Sequence, residues 1–182
     1  MENLEIANQI EEPKIENQEL TRISLGKFIF LSVLTAGLYE VWWTYKAWRF
    51  FQLKERSDFS PVFRTAFALF YQISLFNAIL KSAKSYDYKK SYSSWLLFIG
   101  YIVYHIAVEF LIPSLNDKTT PIDLISLSFV FLIPPFNALT YVMENCKELI
   151  VPIQEGFNRR QIVLMVISGI VWLLVTYRYF FY

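Results

Sequence analysis

The sequence predicts an all-α fold, a polytopic transmembrane helical bundle built from five apolar helical segments. Three observations predict it. Apolar stretches at roughly residues 24 to 43, 62 to 80, 95 to 112, 122 to 143 and 162 to 182 take up over half of the 182 residues. Hydrophobic residues make up 55% of the chain and aromatic residues 19%, with only 5 Gly, too apolar for an ordinary soluble domain of this length. The polar segments between the stretches are short, about twenty residues at most, which leaves no room for a soluble catalytic or binding domain between them.

The chain divides into an acidic tail over residues 1–22 and a single membrane-embedded domain over 23–182. The tail holds Glu2, Glu5, Glu11, Glu12, Glu16 and Glu19 against Lys14 and Arg22, and reads as solvated and disordered or weakly helical. It lacks the positive start and small-residue cleavage pattern of a secretory signal, so the first apolar stretch is expected to act as the insertion signal. Cys146 stands alone, which excludes an intramolecular disulfide and a cysteine-rich metal site.

A crossing helix needs about 20 mainly apolar residues, because the hydrocarbon layer is about 30 Å thick. The first two stretches have clean apolar runs nearer 12 to 14 residues, a length shared by crossing, re-entrant and interfacial segments. Lys27, Gly37 and Glu40 interrupt the first; Arg64, Gln72, Ser74 and Asn77 interrupt the second. The third runs from Trp95 to Pro113, an interfacial ring at one end and a helix breaker at the other. The fourth, Ile122 to Met143, contains Pro134-Pro135, which must kink or split it. The fifth ends in aromatic residues around Arg178. With five crossings and the N-terminus inside, Lys and Arg divide ten inside to seven outside; if the first two stretches return to their own side, the division is fifteen to two. Either way the N-terminus lies on the cytoplasmic side of a multi-pass inner-membrane protein.

Trp42-Trp43-Thr44-Tyr45-Lys46-Ala47-Trp48-Arg49 interleaves aromatic and basic residues, as does the region of Lys81 to Lys90. The expected partners are anionic headgroups at Lys46–Lys54 and Lys81–Lys90, together with a membrane-protein partner or a second copy of the chain, and not nucleic acid, since these residues flank apolar helices.

Ser24-Leu25-Gly26-Lys27-Phe28 and Gly37-Leu38-Tyr39-Glu40-Val41-Trp42-Trp43-Thr44-Tyr45-Lys46-Ala47-Trp48 follow a recurring order: a short apolar helix, then Gly-x-Tyr-Glu-x-Trp-Trp-x-Tyr-Lys-x-Trp. Ser60-Pro61-Val62-Phe63-Arg64 follows at the expected distance. In these features the first half of the chain resembles a family of bacterial integral membrane proteins that has no assigned activity, so the resemblance implies a bacterial membrane protein and no reaction. Read physically, Gly37 allows a tight bend, and Tyr39, Trp42, Trp43, Tyr45 and Trp48 form an interfacial collar. Glu40 is expected to pair with Lys46 or Arg64, or to be protonated.

Tyr101, His105 and Glu109 recur at steps of four on the third helix and share one face. Ionisable groups at such depth are candidates for proton relay or for hydrogen bonds between helices. Metal binding is not expected, because a structural or catalytic site needs three or four ligands and the chain has one His. Phe76-Asn77-Ala78 recurs as Phe136-Asn137-Ala138, hinting at two helix pairs in parallel, with Asn77 and Asn137 as interhelical hydrogen-bonding groups. Enzyme motifs and cofactor-binding loops are absent. The sequence therefore points to a non-enzymatic structural or interaction component of the bacterial cytoplasmic membrane, with a transport or proton-conducting subunit using Tyr101, His105 and Glu109 as the alternative.

Overall fold

The computed structural model describes residues 20–111 and 127–181. These residues are all-helical, without a strand; a lone backbone bridge pairs Arg22 with Ile153. Most of the acidic tail, Pro113, Lys118 and the start of the fourth stretch at Ile122 lie outside the described residues.

The first apolar stretch is two helices rather than one. Ser24 caps α1, Leu25–Leu34, by accepting from the Lys27 amide. The turn that follows places Ala36 at φ 48° and Gly37 at φ 87°, a left-handed pair in which glycine carries the larger excursion without a Cβ clash. Thr35 pins this turn: its hydroxyl donates to the Leu31 carbonyl at 2.7 Å and accepts from the Tyr39 amide at 2.9 Å. The chain then reverses into α2, Leu38–Glu55.

The second stretch is also divided. Ser60 caps α3, Pro61–Ala66, with Pro61 in the first turn where a missing amide costs nothing. Phe67, at φ −102° and ψ 40°, breaks the helix before α4, Ala68–Lys84. The third stretch is nearly continuous, as α5, Ser94–Ile106, widening into a π-helical segment over Ala107–Leu111. The fourth is split as its prolines require: a 3-10 turn, Ser128–Leu132, precedes α6, Ile133–Asn145, with Pro134 and Pro135 in the first turn of α6. The fifth is α7, Arg159–Phe181, opened by a reciprocal capping box in which Asn158 and Gln161 bond each other's amides at 3.0 and 2.8 Å.

One end of the bundle gathers the connectors. There Arg22 donates to the Pro152 carbonyl and accepts from Gln154, Lys54 reaches the Ser82 hydroxyl at 2.7 Å, and Tyr141 donates to the Tyr86 carbonyl at 2.8 Å. Arg22 also meets Glu144 at 2.6 Å. At the other end of the hairpins, Glu40 meets Ser128, and Thr65, Leu69 and Tyr101 border one cavity with it. The pairs α1–α2 and α3–α4 therefore run out from the connector end and back to it. α5 then runs out, α6 back and α7 out. The pairs α4–α5 and α6–α7 thus have the parallel disposition that the Phe-Asn-Ala repeat hints at.

The core is aromatic. Phe28 is fully buried and stacks on Phe136 with ring centres 4.5 Å apart, while Trp43 and Tyr39 pack at 5.8 and 6.3 Å. Half of α2 is buried, including Tyr39, Trp43, Trp48, Phe50 and Phe51. Three rings of the expected interfacial collar, Tyr39, Trp43 and Trp48, are buried in this core, whereas Trp42 and Tyr45 are half-buried. Among the described residues no helix is both long and apolar enough to cross a membrane. The helical class is thus established by the structure and the crossings are not.

Candidate buried polar site

Glu40 lies in the first turn of α2, three residues after Gly37, where the positive end of the helix favours a carboxylate. It is only 2% exposed. The Ser128 hydroxyl, itself fully buried, donates to its Oε1 at 2.6 Å, while Oε2 has no hydrogen-bond partner. Tyr101 approaches the same carboxyl from α5. Gly100 makes that approach feasible, because a Cβ there would fall 2.5 Å from the Phe131 ring beside Ser128. Burial pushes the Glu40 carboxyl up to about 7, against the opposing effect of the Ser128 hydrogen bond. A cavity of about 130 Å³ adjoins it, bordered also by Thr44, Thr65, Gln72, Phe98 and Leu132, with room for water.

The expected ion pairs are not formed. Among the described residues Glu40 pairs with neither Lys46 nor Arg64. Lys46 is buried and reaches the Thr21 hydroxyl at 3.2 Å, at the connector end and away from Glu40. Arg64 lies over the Phe59 ring at 3.8 Å and over Trp48 at 4.5 Å, where the ring faces attract its charge. Lys54, held by Ser82 and over the Tyr86 ring at 4.9 Å, is likewise part of the packing. Of the two stretches expected at headgroups, the one from Lys46 to Lys54 is therefore largely taken up inside the protein, whereas Lys81, Lys84, Lys89 and Lys90 are exposed.

The remaining motif residues hold elements together. The Tyr39 hydroxyl accepts from the Gln161 side chain at 3.1 Å, tying α2 to α7. Trp42 stacks on Tyr45 at 5.2 Å, and Trp48 packs edge-on against Phe59 at 5.6 Å.

On α5, Tyr101 and His105 meet as expected, their rings 4.4 Å apart, and His105 Nε2 is buried without a partner. The change to π-helical winding at Ala107 takes Glu109 out of the α-helical repeat that Tyr101 and His105 share. The Glu109 side chain lies outside the described residues. Asn77 is exposed and Asn137 half-buried, and among the described residues neither bonds to Glu40, Tyr101 or His105. The described residues hold no group of three or more His, Cys, Asp or Glu able to bind a metal ion.

Ser128 and Gln161 are the residues that sequence reasoning passes over. Gln161 had a local signature, since Asn-x-x-Gln before an apolar run marks a capping box. Ser128 had none. Compared with known proteins, the chain matches no family model, no curated protein and no solved structure.

Proposed function

We propose that this chain is an integral, non-enzymatic component of the bacterial cytoplasmic membrane, with a structural or interaction role. The observation that carries this reading is the apolar outer surface of the outward-running helices. On α5, Trp95, Leu96, Ile99, Val103 and Ile106 are all exposed, and from Leu96 onward they recur every three or four residues, forming one apolar face. On α7 most side chains from Ile162 to Tyr177 are exposed, among them Leu173 at 71%. Contiguous apolar surface of this extent marks contact with lipid or with a partner.

In this reading α5, the 3-10 turn with α6, and α7 cross the bilayer. The α1–α2 and α3–α4 hairpins enter and leave through the cytoplasmic leaflet. At about 1.5 Å per residue the 10 residues of α1 reach only about 15 Å, half the hydrocarbon depth. The 23 residues of α7 reach about 35 Å, and Trp172 bonds the Leu34 carbonyl near the hairpin tip with nine residues still to run. The arrangement corresponds to the fifteen-to-two division of Lys and Arg. Headgroup contact then falls mainly to Lys81, Lys84, Lys89 and Lys90.

Cysteine accessibility tests the topology. In a Cys146→Ser background, single cysteines at Arg56 and Lys89 are expected to be shielded together from an impermeant thiol reagent in intact cells and labelled together after permeabilisation. Labelling of the Arg56 position alone from outside would replace the hairpins with full crossings.

A second reading, proton conduction, is favoured by the succession Glu40, Tyr101, His105, in which unpartnered polar atoms follow α5 away from the connector end. It expects a proton flux in reconstituted vesicles that Tyr101→Phe with His105→Ala abolishes. No flux in the parent protein, or normal flux in the double variant, removes it.

A further inference from the structure

The cavity of about 130 Å³ beside Glu40 has a charge pattern that neither a packing role nor a proton path requires. Glu40 borders it while only 2% exposed, and the Oε2 of that carboxyl has no hydrogen-bond partner. Among the described residues that border the cavity there is no Lys, Arg or His. A carboxylate buried among neutral groups is costly unless a positive charge joins it.

The neutral groups around it are acceptors. Thr44 directs its hydroxyl proton to the Glu40 carbonyl at 2.9 Å, and Thr65 directs its own to the Pro61 carbonyl at 2.8 Å, so each has only lone pairs left to offer. Tyr101 brings its hydroxyl to the Glu40 carboxyl, and Gln72, 8% exposed, adds an amide oxygen from α4. Such a border suits a hard cation, which takes carboxylate, hydroxyl and amide oxygens together. One carboxylate balances one positive charge, so a monovalent ion leaves the site neutral where a divalent ion would leave a buried excess. A site of this kind does not need the three or four nitrogen, sulfur or carboxylate ligands of a zinc centre.

Three helix interruptions meet at the same place. Gly37 lies three residues before Glu40, Phe67 separates Thr65 from Ala68 on the cavity border, and Leu132 ends the 3-10 turn that begins at Ser128. Broken helices inside a bundle free backbone carbonyls that can add to the coordination of an ion. Val41 and Leu69 also border the cavity and are 55% and 64% exposed, so an ion can reach it from the surface between the two hairpins.

We propose that this cavity binds one alkali cation, Na⁺ or K⁺, held by the Glu40 carboxylate with oxygens of Thr44, Thr65, Gln72 and Tyr101. Bound there, the ion ties the two hairpins to α5. The site needs only the packing of α2, α3, α4 and α5, and is independent of the membrane reading.

The test uses the purified full chain in detergent micelles, in mildly basic choline chloride buffer where few protons compete for Glu40. Radiolabelled sodium, or radiolabelled rubidium as a substitute for K⁺, is bound by equilibrium dialysis, and thermal unfolding is followed by tryptophan fluorescence as NaCl or KCl replaces choline chloride. The parent should bind a single ion per chain saturably, with Tm rising over the same concentrations, and the salt with the lower half-saturation identifies the ion. Glu40→Gln should lose both effects and Thr65→Val, of nearly equal shape, should weaken binding several-fold. Glu55→Gln, which removes an exposed carboxylate at the far end of α2, should bind as the parent does. No saturable binding of either ion, a Tm rise that added choline chloride reproduces, or unchanged binding in Glu40→Gln overturns the proposal. If Glu40→Gln does not fold, Thr65→Val decides, and an unchanged half-saturation there overturns it.

Discussion

Replacing Glu40 with Gln is expected to remove a pH dependence of stability that the parent protein shows between mildly acidic and mildly basic solution. The carboxyl titrates near 7 in the folded protein against an ordinary value of 4.5. In that interval the folded chain keeps a proton the unfolded chain has released. The contribution is therefore fully present below the unfolded value, declines as pH rises toward the folded value, and is absent above it. Its size is on the order of 3 kcal/mol. Gln is uncharged at every pH, can still accept from Ser128 and needs no proton to remain buried. Thermal unfolding followed by tryptophan fluorescence in micelles should show the parent losing stability relative to Glu40→Gln between about pH 5 and pH 8, a window set by the two titration values. Parallel pH profiles would mean that Glu40 stays charged and is compensated. Glu40→Ala should be less stable than Glu40→Gln, because it leaves a cavity in place of a buried side chain and removes the hydrogen bond from Ser128.

Phe28→Ala is expected to destabilise the protein by about 3–5 kcal/mol, the range for deleting a fully buried aromatic ring. The ring has no exposed surface and meets Tyr39, Trp43 and Phe136, so its loss opens a cavity where α1, α2 and α6 converge. The stacked pair with Phe136 should also be coupled. A double-mutant cycle should return about 0.5–1.5 kcal/mol beyond the two single losses. A loss below about 1 kcal/mol for the single variant would place this cluster outside the cooperative core.

The helical class, the bend at Gly37 and the division at Pro134-Pro135 were legible in the sequence because they have local causes: glycine tolerates the left-handed turn and proline cannot continue a helix. The caps at Ser24 and Ser60 and the break at Phe67 came only from the structure. That the first apolar stretch divides at Thr35 was harder to see, since the deciding hydrogen bonds run from one Thr side chain to both neighbouring helices. The aromatic motif was recognisable as a unit but its place was not. Interleaved rings and cations fit a headgroup layer and a cation-lined core equally well, and tertiary cover decides between them. For Glu40 the need for a partner was evident from its apolar setting, whereas the partner, Ser128, lies 88 residues away and carries no local pattern. Tyr101 and His105 came together because a helical repeat guarantees it; Asn77 and Asn137 did not join them, because a short recurring tripeptide fixes no common facing.

The bridge between Arg22 and Ile153 also bears on the order in which the molecule can be assembled. Thr21 bonds Gln154 across 133 residues, and Lys27 reaches the carbonyls of Gln154 and Glu155. Phe28 waits for Phe136 in the same way. During synthesis α1 emerges well before its polar anchors, which follow 127 and more residues later. Loop-closure entropy delays such distant pairings, so the first hairpin should dock only after those residues are made, and until then its apolar face is uncovered by them.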